Sequence, residues 1–127
     1  MSSSILNFEE TDAPFLADPA HSFTMPARFY TSDEVYELEK DAIFYKTWHY
    51  ACHVSQVTQP GAFFTTKIHE QNLFITRGRD NELRAFYNVC AHRGHELVAG
   101  SGRKSLITCP YHAWTFDLQG NLVSARN

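Results

Sequence analysis

Four residues in two short groups, Cys90-Ala-His92 and Cys109-Pro-Tyr-His112, constrain this chain more than any other feature of its sequence. Each group offers one thiolate and one imidazole, and sixteen residues separate the groups. A redox-active cysteine pair or a disulfide framework has no use for histidines interleaved in this way. Four soft or borderline donors in two close pairs can instead wrap a single metal centre, provided two loops are carried to the same place.

When both pairs mix cysteine with histidine, the best match is a Rieske [2Fe–2S] centre, in which two histidines replace two cysteines on one of the irons. On this reading Cys90 and Cys109 hold one iron, and His92 and His112 hold the other. Two neutral imidazoles leave the centre two formal charges less negative than an all-cysteine cluster. Potentials then run from roughly −150 to +300 mV, against about −400 mV for the plant-type cluster. A structural Cys₂His₂ zinc site uses the same donors and is the alternative, although common zinc-finger spacings segregate a cysteine pair from a histidine pair. Zinc is d¹⁰ and colourless, so colour and paramagnetism on one-electron reduction separate the two readings.

Composition sets the bounds. With 127 residues, 43% apolar and 20% charged, the chain is one globular domain with a modest core. A net charge of −3 and no basic run argue against nucleic acid or an anionic membrane surface as partner. No apolar run approaches the ~20 residues that span a bilayer. The Met1-Ser-Ser-Ser-Ile-Leu start lacks the basic and apolar regions of a signal peptide. With Cys90 and Cys109 assigned to metal, Cys52 is left over, which fits a reducing cytoplasm and a buried, inert thiol.

Along the chain, residues 1–28 read as an irregular tail punctuated by Pro14 and Pro19. Residues 29–47 read as an N-terminal helical segment. Thr31 serves as N-cap with Glu34 reaching back, and Val35, Leu38, Ala42 and Ile43 fall at helical spacing, so the helix runs from about Ser32 to Tyr45. From Trp48 the pattern turns to alternation. Strands are expected at 48–54, 62–68, 73–77, 83–89, 105–108, 114–117 and 122–124, with turns at Pro60-Gly61, 69–72, 78–81, 100–102 and Gly120-Asn121. Residues 48–127 therefore form a mainly β, antiparallel domain, a small sandwich whose strands deliver the two ligand loops. His49 and His53, on one strand, lie roughly 13 Å apart and share no metal. His69 is solvated in a turn, and His21 in the tail gives no signal. Asp33, Glu34, Glu37 and Glu39 make a solvated helix face, and no paired catalytic carboxylates are indicated.

The runs Cys90-Ala-His-Arg-Gly94 and Cys109-Pro-Tyr-His-Ala-Trp-Thr-Phe-Asp117, with Gly120 after them, resemble the N-terminal Rieske domain of Rieske non-haem iron oxygenase α subunits, the aromatic ring-hydroxylating dioxygenase type. The resemblance runs from about Pro26 to Asn127. Respiratory Rieske proteins carry an additional cysteine in each loop, joined as a disulfide; His95 and Tyr111 stand at those positions here. The resemblance implies an electron relay. An NADH- or NADPH-dependent reductase, directly or through a ferredoxin, loads the [2Fe–2S] cluster. The cluster then serves a mononuclear Fe(II) held by a 2-His-1-carboxylate triad in a C-terminal domain, which hydroxylates an aromatic or quaternary-ammonium substrate with O₂. No such triad is found in this sequence, so the chain alone carries electrons and hydroxylates nothing. The resemblance also implies a trimer in which the tips of His92 and His112 face a neighbouring subunit. Around the ligands, Arg93 and Gly94 shape the first loop, and Trp114 packs beneath the second. Backbone N–H groups near Arg93, Gly94, His95 and Trp114 are candidates to hydrogen-bond the sulfurs. Many relatives have glycine where this chain has Ala113, a departure that bears on the backbone angle there. A free-standing Rieske ferredoxin is the other electron-carrier alternative, against which the helix and Trp114 argue.

Overall fold

The computed structural model describes residues 16–125. It divides into two compact units, one reaching Trp48 and the other starting at His49. Residues 1–15 of the expected tail lie outside the described residues.

The first unit holds the helices. The expected single helix is split into α1 (Arg28–Thr31) and α2 (Asp33–Ala42), because Ser32 between them is extended, at φ −92° and ψ 124°. Ser32, not Thr31, therefore caps α2, its hydroxyl accepting the Val35 N–H at 3.4 Å. The Thr31 hydroxyl donates to the Ala27 carbonyl at 3.1 Å and belongs to α1. Asp33 and Glu34 occupy the first turn of α2, where negative charge meets the positive end of the helix dipole. The helix stops at Ala42, short of Tyr45. Ile43 leaves helical geometry at φ −122°, and Phe44–Lys46 winds on as a 3₁₀ turn with Phe44 6.4 Å from the Tyr36 ring. Glu37 is more than solvated surface, since Oε1 accepts from Lys40 Nζ at 2.6 Å and Lys40 is only 9% exposed.

The strand expected over 48–54 does not form. Trp48 and Tyr50 are 102% and 80% exposed, with no sheet neighbour to cover them. The strand preference of aromatic residues is a packing preference and fails without a packing surface. The backbone runs irregularly to a 3₁₀ turn at Val54–Val57, capped by His53, whose Nδ1 accepts the Ser55 N–H while Gln56 Oε1 accepts the His53 N–H.

Two antiparallel sheets follow. The first contains β1 (Ala62–Ile68), β2 (Gln71–Arg77), β3 (Leu83–Tyr87) and β4 (Ser101–Arg103), in the order β3-β2-β1-β4. β2 begins earlier than expected because Ile68 pairs with Gln71, leaving a two-residue His69-Glu70 turn with His69 at φ 51°. Gly100-Ser-Gly102, expected as a turn, contributes to β4 instead. Gly102 lies opposite Phe63, and a Cβ there would sit 3.1 Å from Phe63 Cε1, so the glycine clears space for the ring. The second sheet contains β5 (Ile107–Thr108), β6 (Thr115–Phe116) and β7 (Leu122–Ser124), in sequence order. Its β6–β7 turn is tied by Asp117, whose carboxylate accepts from the Gln119 and Asn121 amides, and Gly120 passes over Phe86 of the first sheet.

One core joins the sheets: Phe63, Phe74, Leu97, Val98, Ile107 and Leu118 are buried together with Cys90 and Cys109, and Phe86, Trp114 and Phe116 pack against them. Each large apolar side chain so buried stabilises the fold by about 1.5–3 kcal/mol. That core anchors the root of both cysteine-bearing loops. The architecture is the mainly β, two-sheet domain with a short helical element before it that the sequence led us to expect.

Candidate metal centre

β3 leads into the first loop and β5 into the second, and the loops are built alike. In the first, the Cys90 N–H donates to the His95 carbonyl and the Gly94 N–H to the Cys90 carbonyl, both at 2.8 Å. In the second, the Cys109 N–H donates to the Trp114 carbonyl at 2.8 Å and the Ala113 N–H to the Cys109 carbonyl at 3.0 Å. The fourth residue after each cysteine is left-handed, Gly94 at φ 69° and Ala113 at φ 58°. Ala113 thus adopts the angle that glycine takes most readily, at a strain of roughly 1–2 kcal/mol.

The loops present like donors to like. Cys90 and Cys109 are 2% and 3% exposed, and the Cys90 thiol hydrogen-bonds to its partner. His92 and His112 are half-buried, with ring centroids 4.9 Å apart. None of the three cysteines is in a disulfide. Burial alone would raise the Cys109 thiol pKa, but the Tyr111 and His112 amides and the Cys90 thiol outweigh it, and the net direction is down. The Tyr111 and His112 amides are aimed at the Cys109 sulfur, and the Gly94 amide is spent on the Cys90 carbonyl. His112 is also lowered, first by desolvation and then by the neighbouring His92, Arg93 and His95. Both shifts favour the deprotonated forms that bind metal. Nδ1 of His112 is buried with no hydrogen-bond partner. An orphaned ring nitrogen costs roughly 1–3 kcal/mol unless something claims it, so these residues fit a bound metal centre.

Trp114 does more than pack under its own loop. Its indole stacks on His92 of the other loop, with centroids 4.6 Å apart and planes 5° from parallel. His95 and Tyr111 also face one another across the loops, at 5.6 Å. Arg93 is exposed, and a Cβ placed on Gly94 would meet nothing within 4 Å.

The residue that sequence reasoning missed is Asn88. It is 4% exposed; its Oδ1 accepts the Leu97 and Val98 amides at 3.1 Å each, and its Nδ2 donates to the Val98 carbonyl at 2.7 Å and to Glu96 at 3.0 Å. It bolts the far side of the first loop to the strand that starts it. A polar residue in an apolar strand just before a ligand was the available signal. Of the other histidines, His49 and His69 meet edge-on at 6.3 Å and His69 is half-buried, so it is not simply solvated. His53 is the turn cap, and His21 is paired with Asp18. Cys52 is half-buried, with its thiol pushed up by desolvation. Among the described residues no group of three or more His, Cys, Asp or Glu side chains is placed to hold a metal ion, so no 2-His-1-carboxylate set is assembled there. No helix among them is long and apolar enough to cross a membrane.

Two loops, each pairing a buried cysteine with a half-buried histidine and rooted in a two-sheet β core, lie within residues 47–127, which match the family profile of the Rieske [2Fe–2S] domain; the chain belongs to that family. Its domain identity implies a [2Fe–2S] centre. Within the family its kin are oxygenase subunits. It is 53% identical over 120 residues to the carnitine monooxygenase oxygenase subunit of Acinetobacter baumannii, covering 94% of this chain and 32% of that one. Choline monooxygenase of Beta vulgaris is 39% identical over 107 residues, covering 84% and 24%. The crystal structure of the quaternary ammonium Rieske monooxygenase CntA with L-carnitine superposes with a TM-score of 0.86 at 54% identity, covering 91% of this chain and 34% of that one. Naphthalene 1,2-dioxygenase from Rhodococcus sp. gives 0.77 at 33% identity, covering 81% and 24%. The chain spans about one third or less of the length of these relatives.

Proposed function

We propose that this chain is the electron-carrying Rieske domain of a terminal oxygenase, with Cys90 and Cys109 on one iron and His92 and His112 on the other. The carrying observation is the segregation of donors: cysteine beside cysteine in the core, histidine beside histidine nearer the surface. A [2Fe–2S] centre asks two protein ligands of each iron, which suits two pairs. A Cys₂His₂ zinc site would bring four donors to one ion, whereas here like donors lie in two pairs, thiols in the core and imidazoles nearer the surface. When bound, the centre supplies one-electron uptake and release at a potential above that of an all-cysteine cluster.

The protein's own residues do the rest. The core keeps water from the cysteine side, and the Tyr111 and His112 amides offset negative charge on the Cys109 sulfur, which favours the reduced state. Trp114 fixes the plane of His92. His92 and His112 keep an edge toward solvent, where an electron can pass to or from a partner.

The division into a tail (1–28), a helical segment (29–47) and the Rieske domain (48–127) is part of this proposal. So is a cytoplasmic setting. So are a reductase or ferredoxin donor drawing on NADH or NADPH, a trimeric full-length subunit, and a mononuclear Fe(II) site beyond this chain. Relatives described as carnitine, choline and glycine betaine monooxygenases support a quaternary-ammonium substrate over an aromatic one. A free-standing ferredoxin is the second reading, disfavoured because the matched relatives are oxygenase subunits. The test is analytical. Purified chain should carry about two irons and two acid-labile sulfides, with a paramagnetic signal on one-electron reduction. Zinc without sulfide sinks the proposal.

A further inference from the structure

Five aromatic rings run unbroken across the site: His95 to Tyr111 at 5.6 Å, Tyr111 to His112 at 3.8 Å, His112 to His92 at 4.9 Å, and His92 to Trp114 at 4.6 Å. The chain of rings passes from the first loop to the second, back to the first, and to the second again. Two of its crossings involve proposed ligands or the indole stacked on one. The third, His95 with Tyr111, involves neither ligand as its first ring and closes the outer end of the site. His95 and Tyr111 are both exposed, so this contact contributes little to the core. Yet the His95 ring is held in place, its Nδ1 bonded to the Glu96 carbonyl at 2.7 Å, and so acts as the donor there. Tyr111 is wedged between that ring and His112.

We propose that His95 and Tyr111 are a non-covalent clasp, positioning residues that hold the two loops shut and set how slowly the metal centre is released. The proposal rests on the site binding a metal centre, and it assigns to an aromatic pair a job that a covalent cross-link between the loops could do. Paired rings stabilise beyond the area they bury, by an amount that corresponds to about a two- to tenfold change in a rate. The clasp predicts that either ring, deleted, opens the loops equally, and that deleting both is no worse than deleting one.

The experiment uses the full chain, as purified and after reconstitution with iron and sulfide. Two signals are followed: bleaching of the cluster by a chelator under argon, and hydrogen exchange at the Gly94 and Ala113 amides, which close the two loops. His95→Ala and Tyr111→Ala should each speed both signals by about two- to tenfold, with the double variant matching the singles. His95→Phe and Tyr111→Phe, which keep the rings, should stay near wild type. Independent, additive effects of the two alanines overturn the clasp. So does a His95→Phe variant as fast as His95→Ala, which would move the role to the Glu96 hydrogen bond. If the wild-type chain takes up no iron and sulfide, the proposed function fails, while amide exchange in the metal-free protein still decides whether the rings join the loops.

Discussion

The two ligand loops carry the same backbone on different fastenings. Both close a cysteine amide onto the carbonyl five residues on, and both turn through a left-handed residue four places after the cysteine. Beyond that they diverge. The first places its histidine two residues after the cysteine, uses glycine for the turn, and is bolted from behind by Asn88. The second places its histidine three residues on, forces Ala113 into the turn, and is braced by hydroxyls, Thr115 Oγ1 donating to the Ala113 carbonyl at 3.1 Å and lying 3.2 Å from Thr108 Oγ1. The comparison teaches that the loops are alike where they hold the cysteines, and differ in how each is attached to the sheet behind it.

The largest expected effect tests the unequal bracing. Asn88→Ala leaves the Leu97 and Val98 amides and the Val98 carbonyl without partners inside the protein. It should cost about 3 kcal/mol, read from denaturant unfolding, and lower cluster content through the first loop. A loss below about 1 kcal/mol would break the claim that this loop depends on its bolt.

Next comes the equality of the imidazoles. His92→Cys and His112→Cys each restore a negative charge and should each lower the reduction potential, by an amount on the order of 100 mV toward all-cysteine values. A redox titration in which either variant moved upward would remove that residue from the iron.

The turn residues should then respond with opposite signs. Gly94→Ala meets no neighbour, so only the backbone objects, and stability should fall by about 1 kcal/mol. Ala113→Gly relieves the same strain against the extra chain entropy of glycine, and should gain about 0.5 kcal/mol. Thermal unfolding of the pair checks the contrast. Smallest of all, Thr108→Val should change stability by less than about 0.5 kcal/mol, because Thr108 is exposed and the Thr115 hydroxyl keeps its bond to the Ala113 carbonyl.

How much of this was legible follows from what each feature depends on. The two Cys-His groups stand out because metal-binding chemistry demands particular residue types at short local spacing, and the structure brings them together. β1 was readable from alternation and β7 from the Gly120-Asn121 turn before it, and their bounds hold. Residues 48–54 misled because aromatic residues signal a strand only where a sheet is there to receive them, and Trp48 and Tyr50 meet none. β4 was hidden because its glycines look like a turn until Phe63 is seen lying across from Gly102. The cap slipped by one residue since Thr31 and Ser32 are equally good candidates locally, and only the kink at Ser32 chooses. Asn88 ties together the two ends of one loop, eight to ten residues apart, and Trp114 stacks on His92 of the other loop; no local pattern reports such a meeting.

The contact of Gly102 with Phe63 reaches further than the pair itself. A slide of β4 by one residue would bring Ser101 or Arg103, each with a β-carbon, beneath a ring that has no room for one. Pairing is therefore admitted in one phase, and the count from there to Cys109 is fixed with it. An inserted or deleted residue between 103 and 108 would rotate the cysteine out of the interior, whereas a change of length in the exposed Asp80–Glu82 bend would leave both buried thiols where they are.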